Sequence, residues 1–369
     1  MTKTRTRAAG SDRPRTQPPA YPPVRVVSGQ AFELIAELAA FESGPARAAL
    51  ESGKSWIRDV RRLAGPELIR RVDGWAFPLY AELAPIALEA GEPFAIEGLV
   101  ERIRSLPADR LRRRLLGVES PPNRAMLSDG AFDRALAGNV RARAEVRRTL
   151  GLNPPARRAI ERLFETPAEA LQVEVAGIVE AWAATIFRAF ADDAQELIRR
   201  DVLDKERLLR ALPAIEAVRA STNGVEFDLT GWATEIVLVP TVALRPFIAP
   251  TESGSIQIVL CSVADEAFDE DPAVPPRRLV KIATALGDEL RLRILRELAG
   301  SEYTASELST RLGVERTSLH HHLGILRSAG LISARAEGLQ SWRYTRRPGG
   351  IREASGSLQR YLDAEPDHR

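Results

Sequence analysis

The chain has 369 residues, 44% of them hydrophobic, with 52 basic against 50 acidic side chains and a formal net charge of +2. That length exceeds one typical domain of ~100–200 residues, and the composition excludes wholesale disorder, so two folding units plus tails are expected. The small total hides a segregation: residues 1–23 carry a net +4, residues 277–346 a net +5 and residues 24–276 a net −7.

A basic module suits a polyanion, which an acidic body repels. Cys261 is the sole cysteine, which excludes an intramolecular disulfide or a thiolate metal cluster and fits a cytoplasmic protein. Pro14, Pro18, Pro19, Pro22 and Pro23 occupy the place where a signal peptide needs an apolar run. The apolar stretch from Trp232 to Pro250 is broken by Glu235, Pro240 and Arg245, short of the ~20 clean residues of a spanning helix. No membrane contact is expected.

In chain order, residues 1–23 read as a disordered, solvated basic tail, with a phosphate-contacting arm as the alternative. From Ser28 to about Ala220 the pattern is helical, with turns at Gly44-Pro45, Gly65-Pro66, Gly91-Glu92-Pro93, Pro121-Pro122 and Pro154-Pro155. Ser28 can cap a helix in which Phe32, Ile35, Leu38 and Ala39 share a face. The longest helix is predicted from Pro167 to about Arg200, with Leu171, Val175, Ile178, Trp182 and Ile186 as a core stripe. After Asn223-Gly224, the runs Val225–Leu229, Thr234–Pro240 and Ile256–Val263 predict a small antiparallel sheet. That sheet would close a mostly helical domain over residues 24–263. The acidic, proline-containing segment 264–276 reads as a linker.

Beyond it, Leu279, Ile282 and Leu286 form one apolar stripe, and Leu290, Ile294 and Leu298 form another across Gly287-Asp288. Thr304-Ala-Ser-Glu307 is a capping box that starts a third helix, with Leu308 and Leu312 inward and Gly313 as its left-handed stop. A fourth helix follows over about 315–329, with Leu319, Leu323 and Leu326 on its core face. Arg316, Thr317, Ser318, His320, His321 and Arg327 are the candidate contact residues of this helix. Two short helices joined by a glycine turn, the second with polar groups near its start, are what reading a DNA major groove requires. Arg316 can address a guanine edge or a phosphate. Leu331–Ala336 and Leu339–Thr345 alternate about Glu337-Gly338 as a β-hairpin, a wing whose Trp342 and Tyr344 pack inward and whose Arg335 and Arg343 meet phosphates.

The runs Ala285-Leu-Gly-Asp-Glu-Leu-Arg-Leu-Arg-Ile-Leu295, Ser306-Glu-Leu308, Leu312-Gly-Val314 and Ser318-Leu-His-His-His-Leu-Gly-Ile-Leu-Arg-Ser-Ala-Gly-Leu-Ile332 resemble the ArsR-type winged-helix repressors. The resemblance covers roughly residues 279–346. It implies a repressor that binds a double-stranded operator as a homodimer, with Ile351–Leu362 supplying the last dimerising helix. The chain departs from metal-sensing members: the helix before the fourth one reads Ala305-Ser-Glu-Leu-Ser-Thr-Arg-Leu312, without cysteine. Asp363, Asp367 and His368 fall in the C-terminal tail.

His320-His321-His322 cannot chelate one ion from a regular helix, because successive residues point about 100° apart at ~3.6 residues per turn. All four histidines lie at or beyond residue 320, so residues 24–276 cannot build a Ser-His-Asp triad, a Cys-His pair or a histidine metal site. Paired carboxylates such as Asp192-Asp193 leave an enzyme domain as an alternative, and use of the winged helix as a protein-interaction module is another. The reading is a mainly α protein with a small antiparallel β part. A helical N-terminal domain (24–263) is followed by a winged helix-turn-helix (277–346) and a C-terminal helix and tail (347–369). It is a DNA-binding regulator, without enzyme activity, metal or cofactor, whose N-terminal domain serves an unidentified effector or dimerisation.

Overall fold

The computed structural model describes residues 21–43, 50–151, 153–229, 231–268, 274–337 and 341–363. Most of the expected N-terminal tail, the centre of the expected linker, Gly338 of the hairpin turn, Asp367 and His368 lie outside these residues. The class is mainly α with small sheets, as the sequence pattern predicts.

The chain enters through strand β1 (Val24–Val26) and helix α1 (Gln30–Phe41). The cap is Gly29, with no side-chain hydrogen bond, and not Ser28. Every residue of α1 from Ala31 to Phe41 is buried, Glu33 and Glu37 included, so this is a central helix and not the one-faced helix expected. Each acid has a partner: Glu33 accepts the backbone N–H groups of Val242 and Ala243, both at 2.9 Å, and Glu37 accepts Trp182 Nε1–H at 2.8 Å. Helix α2 (Gly53–Val72) is broken at Gly65 (φ 69°) ahead of Pro66, where the sequence predicts a turn.

Shorter helices follow: α3 (Phe77–Ala81), α4 (Leu83–Ala90), α5 (Ile96–Ser105), α6 (Ala108–Leu115), α7 (Pro121–Ala125), α8 (Ala131–Leu136), α9 (Val140–Leu150) and α10 (Pro154–Glu165). The long helix is α11 (Ala168–Trp182), continued through a π-helical turn (Ala183–Phe187) into α12 (Arg188–Ala211). By length and composition alone Ala168–Ala211 could cross a membrane. Its stripe Leu171, Val175, Ile178, Trp182 and Ile186 is instead buried within the fold, as a core helix requires. Helix α13 (Ala214–Ser221) precedes strand β2 (Val225–Glu226).

The first sheet corrects the antiparallel expectation. Its order is β1-β3-β5-β4, where β3 (Glu235–Thr241) runs parallel to both β1 and β5 (Ile256–Ser262), and β4 (Ala249–Ser253) is antiparallel to β5. The reason lies in burial: β3 and β5 are nearly continuous apolar runs covered on both faces, a mark of parallel pairing. Val237, Val239, Ile258 and Leu260 join the main helical core, while Ile236, Leu238, Val259 and Cys261 join a second cluster behind the sheet. The expected strand Val225–Leu229 shortens to β2 and leaves this sheet altogether.

Helices α14 (Arg277–Leu286) and α15 (Glu289–Glu297), strand β6 (Tyr303–Thr304), helices α16 (Ala305–Leu312) and α17 (Arg316–Ser328), strands β7 (Ile332–Glu337) and β8 (Ser341–Arg346), and helix α18 (Gly350–Asp363) complete the chain. Ile282, Ile294, Leu308, Leu319, Leu323, Leu326 and Ile332 bury a core of their own, each worth roughly 1.5–3 kcal/mol. The second sheet has the order β2-β7-β8-β6, so β2 covers the outer edge of the hairpin in parallel register, Val225 with Ala334 and Glu226 with Arg335. Gly224 (φ 82°) makes that approach possible: its carbonyl accepts Ala334 N–H at 3.0 Å, and a Cβ there would stand 3.1 Å from Ser333 Oγ.

A charged cluster joins the same two parts. Buried Arg245 pairs with Asp265 and with Glu51 (2.9 Å), and Lys281 of α14 reaches Asp265 at 2.6 Å and Glu51 at 2.7 Å. Arg245 and Arg277 lie over the Phe268 ring, 4.6 Å and 4.5 Å from its centre. The cations hold the Asp265 carboxyl below its usual range despite its burial. The start of the acidic segment 264–276 is therefore fastened to both sides.

Candidate nucleic-acid interface

The interface is positioned by local signals in the sequence. Asp288 caps α15 by accepting Arg291 N–H at 2.9 Å. The buried Arg291 side chain donates to Ala285 O at 2.8 Å and Thr284 O at 2.7 Å, which ties the end of α14 to α15. Sequence reasoning passed over Arg291, because an arginine in an amphipathic helix ordinarily reads as surface. Thr304 and Glu307 form the expected capping box: Thr304 Oγ1 accepts Glu307 N–H (3.2 Å) and Glu307 accepts Thr304 N–H (2.7 Å). That pairing holds the Glu307 carboxyl low. Gly313 (φ 67°) ends α16 in the left-handed conformation and turns the chain into α17.

Helix α17 starts one residue later than expected, after Glu315, which makes no side-chain cap bond. Leu319, Leu323 and Leu326 are buried, while Arg316, Ser318, His320 and His321 are exposed. The Thr317 side chain lies outside the described structure. Desolvation by the surrounding protein, with the Arg316 charge nearby, lowers the pKa of the largely exposed His320. His322 is half-buried, with Nδ1 at 3.7 Å from Asp288 Oδ1; burial lowers its pKa more than that carboxylate raises it. Among the described residues no group of three or more His, Cys, Asp or Glu is placed to hold a metal ion.

Arg327 is placed differently from the other contact candidates of this helix. Its guanidinium turns inward, toward Pro246 O at 3.5 Å and near Tyr344, and burial lowers its pKa. Arg327 thus reaches the chain segment beside β4 and is half-buried, where Arg316, Ser318, His320 and His321 are exposed. The hairpin forms as expected, with Tyr344 buried and Trp342 packed on the same core. Arg335 and Arg343 are directly opposed across β7 and β8, yet both have acidic partners: Arg335 pairs with Glu302 at 2.7 Å and Arg343 lies 3.7 Å from Glu307. A phosphate would have to displace those carboxylates.

Three helices with a glycine turn before the last, a capped α16, a polar exposed face on α17 and a two-stranded hairpin define a winged helix-turn-helix protein. Residues 288–334 match the family of bacterial regulatory proteins called the arsR family, and the chain belongs to it. It is 38% identical over 60 residues to the transcriptional activator HlyU of Vibrio cholerae, a span of 16% of this chain and 56% of that protein. It is 35% identical over 80 residues to the HTH-type transcriptional regulator CmtR of Mycobacterium tuberculosis and of Mycobacterium bovis, a span of 22% of this chain and 67% of theirs. The chain thus spans just over half the length of the Vibrio relative and two thirds of the mycobacterial ones. No solved structure matches it. Everything before residue 288 lies outside the family match.

Proposed function

We propose that this protein is a cytoplasmic, sequence-specific transcriptional regulator that binds a double-stranded DNA operator as a homodimer. Helix α17 enters the major groove, and the exposed set Arg316, Ser318, His320 and His321, opposite buried leucines, is the observation that carries the reading. Thr317 belongs to the same stretch, and Arg335 and Arg343 of the hairpin take phosphates. The dimer is supported by α14 and α18, which pack together and leave Val280, Ile351, Leu358 and Leu362 exposed. Two such units would place their α17 helices about one helical turn of DNA apart, ~34 Å.

The division of labour proposed is a basic tail (1–23), a body that senses an effector or partner (24–263), a short connection (264–276), the DNA-reading unit (277–346) and a dimerising end (347–369). The body's influence would pass through β2 on the hairpin edge and through the Arg245–Asp265–Lys281 cluster. Its lack of histidine and its single cysteine support a binding role over an enzymatic one. Repression is the sign proposed, because an operator-bound dimer can block a promoter simply by occupying it. The Vibrio relative is named an activator, and a promoter fusion decides: loss of the gene should raise expression, and a fall would reverse the sign.

The test of DNA binding is a gel shift with the DNA upstream of the protein's own gene over a salt series. Affinity should fall steeply and linearly against log salt, as release of counterions requires. No shift at low salt would remove the DNA reading and favour a protein-interaction role.

A further inference from the structure

Helix α17 holds a glycine, Gly324, near its middle. Glycine gives up the most backbone freedom on folding and is a poor helix former, so an interior helical glycine needs a cause. Among the described residues the fold supplies none. Gly324 is not among those with positive φ, and a Cβ built on it meets no described atom within 4 Å.

Of the other glycines within described helices, Gly177 is crowded, a Cβ there standing 2.8 Å from Arg71 Nη2, and Gly65 sits at φ 69°. Gly98 and Gly356 would make only ordinary contacts, at 3.8 Å to Ala90 Cβ and 3.5 Å to Arg360 Nη1, but neither lies on the exposed face of α17. Gly324 therefore has room for a side chain that the described residues do not exclude. Helical spacing sets it between His320, one turn before, and Ser328, one turn after, on the side away from Leu319 and Leu326.

We infer that Gly324 is a clearance position for DNA. The α17 backbone comes into van der Waals contact with the duplex at this residue, and a methyl group there would hold the helix out of the groove. The cause of the glycine thus lies outside the chain, in close backbone approach to a ligand. This inference rests on the DNA-binding reading and adds to it the depth at which α17 seats.

The experiment compares full-length wild-type protein with Gly324→Ala by thermal melting and by binding to the duplex from upstream of its own gene. Alanine should raise the melting midpoint by about 1–3 °C, because it favours the helix. The same change should weaken binding about tenfold, the effect of overfilling a packed contact by one methyl. Gly98→Ala, in α5 where the added methyl meets only an ordinary contact, should raise stability and leave DNA affinity unchanged. A Gly324→Ala protein that is more stable and binds as tightly as wild type overturns the inference, and so does one that is less stable, since the fold would then need the glycine. Failure of wild-type protein to show salt-sensitive binding removes the DNA reading itself, an outcome visible before any variant is made.

Discussion

The pairing of Arg335 with Glu302 gives the hairpin a testable cost. Their charged groups meet at 2.7 Å with side chains 47% and 45% exposed, so solvent screens the pair and it contributes about 0.2–1 kcal/mol to folding. For Arg335 to hold a phosphate it must leave Glu302, and the freed carboxylate then gathers a counterion of its own. Replacing Glu302 by glutamine removes both penalties. The variant should fold within about 1 kcal/mol of wild type and bind DNA about 1.4–5-fold more tightly, the same energy expressed as affinity. Its plot of log affinity against log salt should steepen by up to ~0.9, the value of one phosphate neutralised without a compensating uptake. Fluorescence anisotropy with a labelled upstream duplex at four or five salt concentrations measures both quantities. In an Arg335→Ala background the Glu302→Gln gain should shrink, because the partner that profits is gone. Unchanged affinity and slope in the single variant would show that Arg335 meets no phosphate.

Three further outcomes follow from other parts of the molecule. Arg316→Ala should weaken operator binding and, if the side chain reads a base edge, relax specificity by about 1–3 kcal/mol at one position; an unchanged isotherm takes Arg316 out of the interface. Leu358→Glu places a charge on the exposed apolar face of α18 and should convert a dimer to a monomer in sedimentation, with loss of the two-half-site complex; a dimer of undiminished stability would move the interface elsewhere. Burial raises the Glu33 pKa from 4.5 to about 7, against the pull of the Val242 and Ala243 N–H groups. Since the folded pKa lies above the unfolded one, its contribution is fully present below pH 4.5 and is lost as pH rises through about 7. Wild-type urea midpoints should therefore fall relative to Glu33→Gln across that window, and a constant difference at every pH would contradict the assignment.

The parts of this fold that can be read from sequence are those fixed within one or two helical turns. The Thr304–Glu307 box, the left-handed Gly313 and the leucines at 319, 323 and 326 each specify local geometry, and together they place α17 to within a residue at either end. Distant partners are not written in such patterns. Arg327 has the spacing of the exposed face but turns to a carbonyl 81 residues earlier in the chain. Arg335 and Arg343 look free in the hairpin until Glu302 and Glu307 are folded beside them. The direction of strand pairing was also hidden, although the nearly continuous apolar runs of β3 and β5 carried a hint of it. The burial of Glu33 and Glu37 is not written in α1 itself, because a sequence window cannot show that Val242, Ala243 and Trp182 wait to bond them. The edge pairing of β2 with β7 joins residues more than a hundred positions apart, and a two-residue strand leaves too short a signal to predict.

Two copies of α17 are proposed to read one duplex from its major groove. Hydroxyl-radical footprinting combined with guanine N7 methylation interference on the upstream DNA tests it most directly, because N7 lies in the major groove alone. Two protected segments are expected, centred about 10–10.5 base pairs apart or a multiple of that spacing, with interference at guanines inside each. Protection without N7 interference would place the protein on the backbone or minor groove, and a single unrepeated footprint would contradict the paired reading.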